Sequence, residues 1–145
     1  MFQEKSHPTA TYHTAALNRT GVNGESEIID EQRFPISSPN NPVTGANPEQ
    51  FLGLALATCL NATLESIEKM NELPHTSEVR VDVYQAPDVH NDLMFLVDAT
   101  ILIPLTDAVN GRKAKAMLEL AERRCPVAKL VGDKENVTFQ LVHEW

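Results

Sequence analysis

The chain has 145 residues, 42% of them hydrophobic, and its 12 basic against 20 acidic side chains leave a formal net charge of −8. That length and apolar content suit one domain spanning residues 1–145 around a buried core, while the acidic balance, with no Lys/Arg-rich run, argues against a nucleic-acid or anionic-membrane surface. The five histidines and two cysteines show no metal-ligand spacing, so neither a metal nor another cofactor is expected, and the lack of a leader or spanning apolar run points to a cytoplasmic protein.

The segment 9–17 is rich in Thr, Ala and Tyr, "NRTGVNGES" carries turn chemistry, and "EIIDEQRFPI" follows, which predicts an N-terminal β-hairpin with a bent second strand. "SSPNNPVTGANP" reads as a surface loop. It leads into a helix with a marked start: Asn47 can cap, Pro48 suits the first helical position, Gln50 can complete a capping box, and Glu49 sits where the helix dipole favours a carboxylate. Leu52, Leu56, Cys59, Leu60, Thr63, Leu64 and Ile67 recur at helical spacing, with Gly53, Ala55 and Ala57 making the other side small. The first half of this helix is therefore expected to be buried nearly all round. Glu68, Lys69, Asn71 and Glu72 mark its emergence into water, and Pro74 ends it.

"SEVRVDVYQA" alternates with the period of a half-buried strand, and "DLMFLVDATILIPL" reads as a second strand joined to it by the turn "PDVHND". A helix over roughly 109–124 turns Ala114, Met117, Leu118 and Ala121 inward, Pro126 breaks it, a short helix "PVAKLV" follows, and "NVTFQLVHE" is a closing strand. Strands, long helix, strand pair, helix and strand, without regular βαβ alternation, make an α+β fold with mostly antiparallel sheets and a long, buried central helix.

Two cysteines remain to be explained. In a reducing compartment such a pair is catalytic, redox-active or simply buried. Cys59 alone reads most simply as a small buried hydrophobe. Cys125 follows "ERR" and precedes Pro126, so a helix N-terminus and the cations Arg123 and Arg124 are expected to favour its thiolate.

"GANPEQFLGLALATCLNATLESI", with N-P-E-Q at the helix start and a cysteine ten residues after the glutamate, together with "RRCPVAKL", resembles the OsmC/Ohr superfamily of osmotically inducible and organic hydroperoxide resistance proteins. The resemblance spans nearly the whole chain in element order, although only those two blocks are specific. It implies a thiol-dependent peroxidase that forms an intertwined homodimer, with Cys59 peroxidatic, Cys125 resolving and a lipoylated protein as the dithiol reductant. It also implies roles for Glu49 and for an arginine in the N-terminal hairpin turn. "NRTG" resembles the family's G-R-D-G turn and points to Arg19, with Arg33 in "DEQRF" as the fallback. Apart from the resemblance, Arg19 reads as a solvated turn residue and Glu49 as a dipole-complementing one.

The residue types suit that chemistry. A thiol in apolar surroundings is a poor nucleophile unless a fixed cation favours its thiolate, and a carboxylate can hold a guanidinium in place. Sulfenic acid formation at Cys59 and condensation with Cys125 would follow. The chain departs from the family in "TCL", where an aromatic often follows the cysteine, and in "CPVA", where C-P-Y-S is common. A pocket lined by Phe51, Leu56 and Leu60 is expected to favour bulky organic hydroperoxides over hydrogen peroxide. Two alternatives stay open: a non-catalytic protein binding a lipid-like ligand, and a thiol redox sensor.

Overall fold

The computed structural model describes residues 7–41 and 44–145. The first six residues, and Pro42 and Val43 of the anticipated surface loop, lie outside the described residues. The chain divides into an N-terminal unit ending at Asn47 and a larger unit from Pro48 to Trp145.

The N-terminal unit is a three-stranded antiparallel sheet of β1 (Ala16–Asn18), β2 (Gly24–Ile28) and β3 (Arg33–Ile36). "EIIDEQRFPI" is thus two strands rather than one bent strand. A turn separates them, in which the Glu31 amide bonds to the Ile28 carbonyl and Asp30 takes a left-handed φ of 65° that an Asp tolerates at a turn. Asn18 holds the β1–β2 turn: its Oδ1 accepts from the Gly21 amide at 2.7 Å and its Nδ2 donates to the Gly21 carbonyl and to Ser26 Oγ. After β3 the chain returns alongside it, with Ser37 and Ala46 exchanging backbone contacts with this strand's end. Gly45 permits that approach, since a Cβ there would lie 2.9 Å from the Ile36 carbonyl carbon.

The larger unit opens with α1 (Pro48–Met70), which starts at the expected proline with Glu49 in its first turn. Leu56, Leu60, Leu64 and Ile67 form its buried face. Burial is not all round, however: Leu54 is 63% exposed, and Ala55, Thr58 and Ala62 are exposed beside it. These positions make a face of small and apolar residues that is exposed among the described residues. Glu68, expected at the surface, is instead 2% exposed, because Oε2 lies 2.6 Å from His75 Nδ1 and Oε1 accepts the Ser77 amide, pinning the end of α1 to the strand that follows.

That strand, β4 (Glu78–Pro87), pairs antiparallel with β5 (Leu93–Leu102), and β5 pairs parallel with β6 (Val137–Val142). The β4–β5 hairpin agrees with the sequence reading. The parallel β5–β6 pair makes this sheet mixed, because the chain crosses over through α2 (Gly111–Arg124) and α3 (Pro126–Val131) before β6. Asn110 caps α2 by accepting the Lys113 amide at 2.9 Å, and its inward residues are Ala114, Met117, Leu118 and Ala121, as the spacing predicts. They join Ile101 and Ile103 of the sheet segment and the buried face of α1 in one core. The fold is α+β. Among the described residues no helix is long and apolar enough to cross a membrane.

Candidate active site

Pro126 organises the environment of Cys125. A residue before proline is driven out of the helical region, and Cys125 accordingly adopts φ −69°, ψ 117°, ending α2 and preceding α3. Its backbone amide closes α2 on the Ala121 carbonyl, while its Sγ accepts the Ala128 amide at 3.4 Å as the N-cap of α3. The side chain is fully buried.

On the other side of this buried sulfur stands α1. Cys59, half-buried, packs against the same core. Both cysteines are free thiols, and they are close enough to interact: burial pushes the Cys125 thiol up first, and hydrogen bonding and charge from Cys59 push it further. The Ala128 and Val127 amides act in the opposite direction without prevailing. The expected stabilisation of the Cys125 thiolate is therefore corrected. Arg123 and Arg124 are exposed, Arg124 directing Nη1 toward Met70 Sδ at 3.8 Å, so desolvation outweighs them. Cys125 is a proton-holding neighbour to Cys59, brought beside it from far along the chain.

Glu49 is not brought to Cys59. Helix α1 runs unbroken through Gly53, and ten residues at 1.5 Å each place the two positions about 15 Å apart along its axis. Glu49 Oε1 accepts weakly from Gln85 Nε2 at 3.4 Å, while Oε2 is buried with no hydrogen-bond partner among the described residues. Such a carboxylate oxygen calls for a donor.

Arg19 and Arg33 both lie in the N-terminal unit, on one carboxylate cluster. Arg19 Nη1 is 2.6 Å from Glu27 Oε1, and Arg33 reaches Glu25 at 2.7 Å and Glu27 at 3.5 Å. Both arginine side chains are more than 60% exposed. Glu25 and Glu27, which hold these guanidinium groups, were not singled out from sequence. Their signal is their alternation along β2, which puts both on one face.

Of the expected pocket residues, Leu56 and Leu60 are both fully buried and Phe51 is half-buried, and Leu56 lines a cavity. That cavity, an open groove of about 240 Å³, runs between α1 (Leu52, Leu56), β5 (Phe95, Val97) and the end of α3 (Leu130, Val131), with Lys134, Asn136 and Val137 completing it. At about 100° per residue, Leu52, Leu56 and Cys59 fall on one side of α1. Sequence reasoning missed Phe95, Leu130 and Lys134, although an apolar Leu130 left 80% exposed at the end of a six-residue helix is the kind of signal that marks a groove wall. No group of three or more His, Cys, Asp or Glu side chains among the described residues is placed to hold a metal ion.

Comparison with known proteins agrees with this architecture. The family model described as OsmC-like protein matches residues 39–142. A Lactobacillus casei protein of solved structure is 39% identical, each chain covering 95% of the other, with a TM-score of 0.84. The organic hydroperoxide resistance protein OhrB of Bacillus subtilis is 27% identical over 132 residues, 88% of this chain and 93% of OhrB. The crystal structure of OhrB superimposes with a TM-score of 0.74 at 26% identity, over 91% of this chain and 98% of that one. With the matched segment holding both cysteines and the N-P-E-Q helix start, the chain belongs to the OsmC-like protein family.

Proposed function

We propose that the protein is a cysteine-based organic hydroperoxide reductase acting in hydroperoxide resistance. The observation that carries this reading is the meeting of two free thiols, Cys59 and Cys125, from distant parts of the sequence in an otherwise apolar core. Relationship to a protein named for organic hydroperoxide resistance supports it.

In the proposed reaction, Cys59 as thiolate attacks the distal oxygen of the hydroperoxide. The O–O bond breaks, the alkoxide takes a proton and leaves as alcohol, and Cys59 becomes a sulfenic acid. Cys125 then attacks that sulfur, releasing water and forming the Cys59–Cys125 disulfide, which protects Cys59 from further oxidation. An external dithiol, a lipoyl group by family resemblance, takes over the disulfide by exchange and restores both thiols. Cys125, with its thiol pushed up by burial, keeps its proton in the resting enzyme and can donate a hydrogen bond to Cys59.

Arg19 is assigned as the cation that favours the thiolate and Glu49 as the carboxylate that orients it. The unbroken α1 separates Glu49 from Cys59 of its own chain, so the proposal places Glu49 of the partner subunit of a homodimer at each Cys59. The exposed Leu54, Ala55, Thr58 and Ala62 face supports such an assembly, since an apolar stripe on a central helix is normally covered. Cys59 sits one helical turn from the apolar groove at Leu56, which favours organic hydroperoxides over hydrogen peroxide.

The test is dithiol-dependent consumption of cumene hydroperoxide by wild type, Cys59→Ser and Cys125→Ser. Turnover by wild type, none by Cys59→Ser and a single stoichiometric event by Cys125→Ser are expected. Equal consumption by Cys59→Ser would overturn the assignment. Mixing Glu49→Ala with Cys59→Ser chains tests the crossed arrangement: after subunit exchange, activity should exceed that of either parent, because one composite centre is intact in each heterodimer. No gain despite verified exchange would reject it.

A further inference from the structure

The groove and the redox pair are joined by one short element. Helix α3 has the Cys125 Sγ as its N-cap and carries Leu130 and Val131 into the groove wall at its other end. It is six residues long, so little of its order comes from its own hydrogen bonds, and it is held by the packing of Ala128, Val127 and Val131 and by its cap. The groove is apolar along α1 and β5, and Lys134 brings an ammonium that no hydrogen bond or ion pair engages among the described residues. On a chain of net charge −8, a free cation beside an apolar groove selects an aliphatic chain ending in an anion.

We propose that Cys125 has a second role: as a thiol it caps α3 and holds Leu130 and Val131 as one wall of a groove that binds an aliphatic carboxylate at Lys134. When Cys125 is drawn into a disulfide, the wall loosens and the carboxylate is released. The redox arm rests on the disulfide of the proposed reaction; the capping arm does not. In the disulfide, Sγ must bond to the Cys59 sulfur within narrow limits of length and dihedral angle, and it loses the freedom to stay on the Ala128 amide. The organic product would then leave as the bridge forms. Linkage makes the effect reciprocal: bound carboxylate disfavours the bridge by the same factor that the bridge weakens binding. Cys125 is here a positioning residue for the groove.

Sodium decanoate, kept below its micellar concentration, is the probe, and its affinity is read by calorimetry on the intact reduced protein. Serine is a strong N-cap and alanine is not. Cys125→Ser should therefore bind decanoate like wild type, while Cys125→Ala should bind about fivefold more weakly, the size of effect expected from one lost cap. Lys134→Gln should weaken decanoate but leave decanol unchanged. Equal affinity of the alanine and serine variants would overturn the capping role, and no decanoate binding by reduced wild type, or binding insensitive to Lys134→Gln, would overturn the site. Circular dichroism and thermal melts establish that each variant is folded. Should Cys125→Ala not fold, Ala128→Pro replaces it, because that change removes the capped amide at a first-turn position and should give the same weakening. In the redox arm, one equivalent of cumene hydroperoxide should lower wild-type affinity in step with bridge formation, followed by non-reducing peptide mapping. Absence of the bridge counts against the proposed reaction alone, whereas a formed bridge with unchanged affinity counts against the coupling.

Discussion

Up to Asn47, Ile36 is the one buried apolar side chain among the described residues, whereas from Pro48 onward the buried faces of α1, β5, α2 and α3 form a single continuous cluster. The first unit is ordered by strand ladders, by the side chain of Asn18 and by exposed ion pairs. Such pairs contribute about 0–1 kcal/mol each, and a small sheet that buries little apolar surface is marginal in water. The second unit is ordered by packing, which places two sulfur atoms side by side. On the proposed function the difference assigns tasks: the packed unit carries the reacting pair, and the N-terminal unit carries Arg19 on an exposed surface.

The comparison is broken most severely by changing the reacting sulfur. Cys59→Ser should lower the rate of hydroperoxide reduction by at least about a thousandfold, the scale of losing a nucleophile, with little change in melting temperature. Arg19→Ala should come next, with an activity loss on the order of a hundredfold from the lost fixed charge and again little loss of stability. A reversed pattern, with Arg19→Ala melting early and reacting normally, would make Arg19 a structural residue.

In the packed unit, Leu60→Ala should cost about 2–5 kcal/mol of unfolding free energy, because Leu60 is fully buried where α1 meets the rest of the core. Denaturant melts of this variant and of a truncation in the exposed face, Leu54→Ala, separate the core from the proposed dimer face. Leu54→Ala should leave monomer stability unchanged while shifting the monomer–dimer midpoint in sedimentation. A Leu54→Ala dimer as tight as wild type would show that another surface makes the contact.

The two units also differ in how much of each was legible in the sequence. Helical spacing identifies the inward set Ala114, Met117, Leu118 and Ala121, and Pro48 marks the start of α1, because periodicity and caps are local properties of the chain. Local signals failed where the deciding partner is distant. Glu68 looks like a surface residue until His75 and Ser77 bond to it, and Cys125 looks activated by Arg123 and Arg124 until burial beside Cys59 reverses the sign. The turn at Asp30 was missed since an Asp can enter a left-handed conformation without the glycine that usually announces one. The far wall of the groove was out of reach for a related reason: Leu56 is visible from its helical spacing, but only the positions of β5 and α3 bring Phe95 and Leu130 opposite it.

The raised Cys125 thiol gives the packed unit a pH signature. A thiol whose folded value lies above its unfolded value stabilises the fold fully below the unfolded value, about 8.5 for a free cysteine, and that contribution is lost as pH rises through the folded value. Wild type should therefore lose stability relative to Cys125→Ser as pH is raised from about 8.5 upward, with the two parallel at neutral pH. Melting curves across that window decide it, and parallel behaviour throughout would mean that the Cys125 sulfur is not desolvated in solution.

The smallest effect belongs to Arg33. It spans Glu25 and Glu27 on the neighbouring strand, yet its side chain is 64% exposed, so solvent screens both pairs. Removing it leaves Glu25 without its pair, but Glu27 keeps Arg19 at 2.6 Å. Arg33→Ala should then change stability by less than about 1 kcal/mol, and that difference should fade further in 0.5 M salt, roughly, as the screening length shortens to a few ångströms. Activity should stay near wild type, since the assigned cation is Arg19. With Arg33 gone, Arg19 is the one arginine left on Glu27, so a modest rise in the Michaelis constant is the permitted deviation: a tighter Arg19–Glu27 pair competes with the partner carboxylate. A loss of activity as deep as that of Arg19→Ala would instead transfer the catalytic assignment to Arg33, leaving the packed unit's cysteine pair as proposed and revising only the face of the N-terminal sheet that serves it.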